Sequence, residues 1–399
     1  MDYSDSTYSG PAYKLGAGVQ GFDALEATRS KGHVLVGGEC PTVGLAGGYT
    51  QGGGHSALST NFGLGADQTL SFEVVTAAGK VVTASRTENT DLYWALSGGG
   101  AGNYGVVMSV IVKAHPSAMV SGAFLSFSTA NLTEKTYTGA IEQFHRHLPA
   151  MLDAGTSVIY QILPGYFLLK PVTAYNKTSA EVKTILTPFM QELDSLKIPF
   201  TISYTQFDTY YEHYEQYMGP LPNGNLDVGE FTYGGRLLPR SVVQSNPSGI
   251  ASTLYDFTSR GVIIVGVCLN VSETNDVDNA IFAPWREAAV TMQIGITLSN
   301  TDTVDKILAD QQTVTEELTP QLEALTPDSG TYENESNFLQ PNWKQVFFGD
   351  NYDRLAQIKT KWDPTNFFYA FKGVGSDFWT LSESGRMCKA ESASKCRRI

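Results

Sequence analysis

The run Gly37-Gly38-Glu39-Cys40-Pro41-Thr42-Val43-Gly44-Leu45-Ala46-Gly47-Gly48-Tyr49-Thr50-Gln51-Gly52-Gly53-Gly54-His55-Ser56 restricts the possible folds of this chain more than any other stretch. It contains eight glycines. Glycine costs backbone entropy and weakens helices and strands, so this density belongs where backbone takes positive φ or approaches another group closely. Successive exposed N–H groups in such a loop form an anion-binding nest suited to a diphosphate. The strand–G-x-G-x-x-G–helix succession of a nicotinamide fingerprint is absent. No Gly-Lys-Ser/Thr follows to complete a P-loop. Glycine density by itself leaves two readings open, a cofactor cradle and a structural cluster of turns.

The remainder of the chain sets the context. Its 399 residues, 42% hydrophobic, suffice for a large core and suggest two domains. A net charge of −13 argues against a nucleic-acid or anionic-lipid surface, since phosphate neutralisation needs clustered Lys and Arg. No stretch is long and apolar enough to cross a bilayer. Periodicity predicts a helix over Phe22–Arg29 stopped at Gly32, and a strand over His33–Val36. A hairpin joins Leu70–Val75 to Lys80–Ser85 through Ala77-Ala78-Gly79, followed by a short helix to Leu96 and a strand over Val106–Lys113. The hairpin excludes a purely parallel sheet, so the class is α+β. Beyond Pro116, strands such as Ala123–Ser128, Val158–Leu163 and Ile263–Val271 alternate with helices such as Glu134–His147 and Ala180–Leu193. The aromatic stretch Tyr204–Tyr217 reads either as a cavity lining or as a core-facing loop and helix, the latter favoured. The helix over Val304–Leu318 is polar enough to lie outside. Expected boundaries are 1–117, 118–340, a segment 341–385 that returns to the first domain, and a polar tail 386–399. Cys268 reads as a core thiol, while Cys388 and Cys396 either bridge or remain two exposed thiols.

The segment Glu39-Cys40-Pro41-Thr42-Val43-Gly44, followed by Gly-Gly-x-x-x-Gly-Gly-Gly, resembles the flavin-cradling motif of berberine-bridge-enzyme-like oxidoreductases. These belong to the wider FAD-linked oxidase group that includes vanillyl-alcohol oxidase. Two further stretches are similar to the same family: Gly98-Gly99-Gly100-Ala101-Gly102-Asn103-Tyr104-Gly105-Val106-Val107, and Phe347–Leu355 leading into Lys359–Phe368. The resemblance covers essentially the whole chain. It implies a PCMH-type FAD-binding domain, a substrate domain built on an antiparallel sheet, and FAD as cofactor. It places Cys40 as a flavin tether, with Thr42, Val43, Gly44, Gly48, Gly52, Gly53 and Gly54 around the cofactor and His55 in its shell. It also implies that Gly105 and Val107 meet the adenine side through their backbone, and that Asn351 meets the flavin pyrimidine edge. In relatives a first flavin subdomain, carrying an Arg-x-x-Gly-His type loop and a histidine tether, precedes everything in this sequence. Gly16–Gln20 resembles the last strand of that subdomain, so half the cradle is expected to lie outside this sequence.

Oxidation of an alcohol or C–H bond needs a hydride acceptor and a base for the proton. The family's Tyr-x-Asn-Tyr motif reads here as Tyr332-Glu333-Asn334-Glu335. Tyr332 is the expected base, and Glu335, standing where a second tyrosine would be, is its competitor. The alternative is a surface loop bearing a glycan on Asn334. Sequons at Asn131, Asn176, Asn270 and Asn334 support a secretory ancestry, although Met1–Asp5 does not resemble a signal peptide. His145 and His147 point to different helix faces and do not form a metal pair. The expected activity is hydride removal from an alcohol, sugar or secondary-metabolite C–H bond, with molecular oxygen as acceptor. The alternative is a homologue without redox activity that acts as a binding protein or cyclase.

Overall fold

The computed structural model describes residues 1–225, 229–274, 277–382 and 385–390. Two antiparallel sheets organise it. The first runs, in spatial order, Asp2–Ser4, Ser9–Gly16, Val106–Lys113, Thr69–Val75 and Val81–Ser85. The predicted hairpin is its edge: Val75 faces Val81 across a turn in which Gly79 takes a φ of 74°. Leu15, Phe72, Val74, Ala84 and Val110 form one core with the helix Thr90–Leu96. Phe347, Phe348, Leu355 and Ile358 join that core, so the C-terminal segment packs back on the first sheet.

The second sheet runs Phe200–Phe207, Val120–Ser128, Tyr166–Tyr175, Thr156–Leu163, Ile263–Cys268, Ala288–Gly295 and Gly234–Pro239. Side chains alternate across a strand. Tyr160, Ile162, Ile264, Met292 and Ile294 therefore face a helical layer and share its core. That layer contains Glu134–Asp153, whose N-terminus Thr133 caps by accepting from the Thr136 N–H. Its stripe Tyr137, Ala140, Ile141, Phe144, Leu148 and Leu152 follows the three-and-four spacing of an amphipathic helix. Gln161, Val265 and Gln293, aligned in one row, point to the opposite face.

A third cluster fills the space between the sheets, with Leu58, Leu64, Tyr210, Tyr214, Tyr217, Trp285 and Tyr332. Tyr204–Tyr217 is the end of a strand followed by the helix Tyr210–Met218, whose Tyr210, Tyr214 and Tyr217 serve as core while Tyr211 stays at the surface under Arg29. The strand expected over His33–Val36 stops at Val34, where its pairing with His115–Pro116 ends. Cys388 is disulfide-bonded, whereas Cys396, its expected partner, lies outside the described residues. No described helix is long and apolar enough to cross a membrane.

One ion pair joins Asp67, beyond the glycine segment, to the turn Ala283–Arg286 that leads into the seven-stranded sheet. Arg286 grips Asp67 through both nitrogens, at 2.8 and 2.7 Å, and Asn279 donates to the same carboxylate at 2.8 Å. The Asp67 side chain is 2% exposed, so its charge has no water to fall back on. Removing one partner of such a pair costs about 3–5 kcal/mol, because the other is left buried and unpaired. Arg286→Ala should lower unfolding stability by that amount in urea melts, with Asp67 left uncompensated.

Candidate active site

The glycine segment descends from the strand at Val34 and bends three times. Gln20 and Gly44 form an isolated bridge, and the Leu45 N–H donates to the Val19 carbonyl at 3.2 Å. A π turn over Leu45–Tyr49 follows. Gly53 and Gly54 then take φ of 119° and 74°, conformations that side-chain-bearing residues rarely adopt. Among the described residues, the backbone N–H groups of Gly37, Gly38, Glu39 and Cys40 donate to no protein group. Tyr214 fixes this open row from behind by donating to the Gly38 and Glu39 carbonyls at 3.0 and 2.8 Å.

Against this segment lies the short turn Tyr332–Glu335, each of whose four side chains goes to a different place. The Tyr332 hydroxyl, on a ring 4% exposed, accepts from the Gly54 N–H at 3.3 Å. Asn334 donates to the Gly48 carbonyl at 2.8 Å and to the Tyr332 hydroxyl oxygen at 2.7 Å. Its amide, on a solvent-exposed residue, is thereby tied to the cradle. Glu333 lies over Gly100, where a Cβ would stand 3.0 Å from its Oε2. Glu335 pairs with His55, Oε1 to Nε2, at 2.7 Å. Trp285 and His55 pack edge-on against the Tyr332 ring, with centroids at 5.2 and 5.6 Å.

The electrostatics separates the two candidate bases. Burial pushes the Tyr332 hydroxyl far up, and the Glu335 charge pushes it further. Tyr332 therefore holds its proton at any ordinary pH. Burial also opposes the Glu335 charge, but His55 and the donors on both oxygens hold its carboxyl below the usual range. Burial alone would lower His55, yet Glu335 beside it raises it to about 9. Two further carboxyls are destabilised as anions by burial: Glu39, raised to about 7, and Glu333, to about 8. Cys40 is pushed up to about 11 by burial and then by Glu39 and Glu335.

The structure gathers Gly48, Gly52, Gly53, Gly54 and His55 around Tyr332–Glu335. Cys40 and Gly44 sit on the half-buried approach, with Thr42 and Val43 exposed beside them. Gly105 is pressed on the first sheet, where a Cβ would stand 2.6 Å from Val74, and Val107 pairs with Val74 inside that sheet. Asn351 donates to the carbonyls of Ala280 and Ile281 at 3.1 and 3.3 Å, bracing the loop beside Gly98. Sequence reasoning missed Glu39, Glu333, Trp285 and Gln293. Glu39 and Glu333 lie inside the quoted motifs, but nothing in a carboxylate's neighbours along the chain announces its burial. Among the described residues no cluster is arranged to hold a metal ion.

These residues fit a flavin dinucleotide. The open donors at Gly37–Cys40 suit an anionic or carbonyl-rich group. Several buried side-chain atoms lack a protein partner, among them His55 Nδ1 and both amide atoms of Asn103 on the second glycine loop. Buried polar atoms left unpaired are costly, which marks them as ligand-facing. At Gly52 a Cβ would stand 2.5 Å from the Asn334 amide. Gly52→Ala should displace Asn334 from Gly48 and Tyr332, costing about 1–3 kcal/mol in denaturant melts. The His55–Glu335 pair also gives stability a pH signature. A raised His55 contributes fully below its ordinary pKa and loses that contribution as pH rises through about 9. A depressed Glu335 contributes above the ordinary carboxylate range and loses it as pH falls. The gap in melting temperature between the wild type and Glu335→Gln should be widest between those limits and narrow on either side.

Comparison with known proteins agrees with this geometry. Residues 10–85 match the FAD binding domain family and residues 331–375 the berberine and berberine-like family. The chain is 49% identical over 391 residues to the FAD-linked oxidoreductase ZEB1 of Gibberella zeae, covering 98% of this chain and 68% of that protein. It is 38% identical over 397 residues to the VAO-type flavoprotein oxidase VAO615 of Thermothelomyces thermophilus, with the same coverage. The crystal structure of the VAO-type flavoprotein MtVAO615 from Myceliophthora thermophila C1 superposes with a TM-score of 0.90 at 36% identity, covering 98% of this chain and 71% of that one. MtVAO713 from the same organism superposes at 0.89 and 25% identity, covering 97% and 72%. With its PCMH-type α+β fold and flavin cradle, the chain belongs to the berberine-like, VAO-type family of FAD-linked oxidoreductases.

Proposed function

We propose that the protein is an oxidase that removes a hydride from a C–H bond of an alcohol, sugar or secondary metabolite, with molecular oxygen taking the electrons. The observation that carries this reading is the Glu335 carboxyl paired with His55 at 2.7 Å and set against the glycine cradle beside Tyr332. A relative 38% identical is named a flavoprotein oxidase, which supports oxygen as the acceptor. Bound FAD supplies the hydride acceptor.

The protein's own residues then divide the remaining work. Glu335 is ionised and takes the proton that a hydroxyl releases as the adjacent C–H bond gives up its hydride. His55, kept cationic, offsets that carboxylate, and its Nδ1 stays open for a hydrogen bond to a bound group. Tyr332 accepts from Gly54 and Asn334, so its own proton is available to donate to a substrate oxygen. Trp285 and the tyrosines of the third core keep this wall dry. Cys40 ends the open donor row, a position suited to anchoring the flavin.

The test begins with colour. Protein purified with FAD should be yellow and should bleach anaerobically with a substrate drawn from a panel of alcohols, sugars and benzylic alcohols. Protein that stays colourless and takes up no FAD would overturn the reading. Glu335→Gln should slow bleaching by about 10²–10⁴-fold, the usual worth of a general base, while Tyr332→Phe should cost less. After denaturation, colour should stay with the polypeptide if the flavin is covalently held, and Cys40→Ala should then reduce that retention.

A further inference from the structure

Gly330–Glu335 docks along the edge strand of the seven-stranded sheet. The Leu237 N–H donates to the Gly330 carbonyl at 2.8 Å, and the Thr331 hydroxyl donates to the Gly235 carbonyl at 2.8 Å. At Gly235 the contact is closest: a Cβ there would stand 2.6 Å from the Glu335 carbonyl oxygen. Gly235 is paired in register with Gln293 on the neighbouring strand. Residues paired in this way project to the same face of a sheet. Because Gly235 has no side chain, the Gln293 amide passes over it and reaches Glu335, donating from Nε2 to Oε2 at 2.5 Å.

We propose that Gln293 is a positioning residue, which from the open face of the seven-stranded sheet fixes the Glu335 carboxylate so that Oε1 faces His55. A carboxylate at the end of three rotatable bonds has no reason to present one oxygen to a given partner. With Oε2 held by Gln293 and the main chain seated on Gly235, rotation is stopped and Oε1 stays on Nε2. The register fixes this. Gln161 lies on the same row two strands away, with Val265 between them, and makes no bond to the turn. Groups that bear on His55 besides Glu335 are Glu39, by its charge, and the Tyr332 ring, by contact.

This assignment deepens the reading of Glu335 as proton acceptor, but its test needs neither substrate nor turnover, so the two fail separately. The probe is the far-downfield proton resonance of the imidazolium N–H in the His55–Glu335 hydrogen bond, assigned by its loss in His55→Asn. A second readout is the His55 ring titration, followed by NMR. Gln293→Met keeps the length of the side chain and removes the donor. It should broaden or abolish the resonance and move the His55 titration down from about 9. Gln161→Met makes the same chemical change on the same sheet face and should leave both signals in place. Should Gln293→Met fail to fold, Gln293→Asn keeps an amide that is too short to reach Glu335, and the same losses are expected. A folded Gln293 variant with an unchanged resonance and an unchanged titration would overturn the proposal. So would a Gln161→Met variant that loses both.

Discussion

The amide of Asn334 occupies the space where a side chain at Gly52 would stand, 2.5 Å from the position of the missing Cβ. That close approach lets the Tyr332–Glu335 turn lie flat on the glycine segment and tie it down at Gly48 and Gly54. Each tie uses a backbone group that a larger residue would have shielded. The density of glycine at positions 48–54 is therefore a packing requirement of this turn as well as an opening for a cofactor. Both readings of that density, cradle and structural cluster, hold in the same stretch.

Two cations clamped to buried carboxylates keep the surrounding loops from parting. Arg286 holds Asp67 at the end of the glycine segment. Lys359, 2% exposed, donates to the Asn103 and Phe368 carbonyls at 2.7 and 2.8 Å and to Asp363 at 2.6 Å. The first joins the cradle to the seven-stranded sheet, and the second joins the second glycine loop to the C-terminal helix. The Asp67 and Asp363 carboxylates, 2% and 0% exposed, have no water to replace a lost partner, so both clamps are strict about geometry. They explain how a site assembled from four separated stretches keeps a single arrangement without metal ligands among the described residues.

Much of this was legible in the sequence because it rests on local chemistry. The hairpin around Gly79 follows from its turn residues, and the glycine run announces itself. The pairing of Glu335 with His55 was half visible: both residues stood in quoted motifs, but 280 positions separate them and only the fold joins them. Gln293 was invisible. It is one of two polar residues, with Thr291, in a strand of otherwise apolar core, and its meaning depends on its register with Gly235. The choice of Tyr332 over Glu335 as base came from motif position. In the structure the two groups differ in charge state, because burial raises a phenol that lacks a cation while His55 stabilises the neighbouring carboxylate. Charge state depends on three-dimensional surroundings, and adjacency along the chain does not reveal it.

The same logic bears on Cys40. Burial and the nearby carboxylates of Glu39 and Glu335 oppose its thiolate, which is the form that attacks an electrophile. A free thiol here is accordingly slow to react. A thioether carries no charge, so the surroundings that resist its formation do nothing to destabilise it once made.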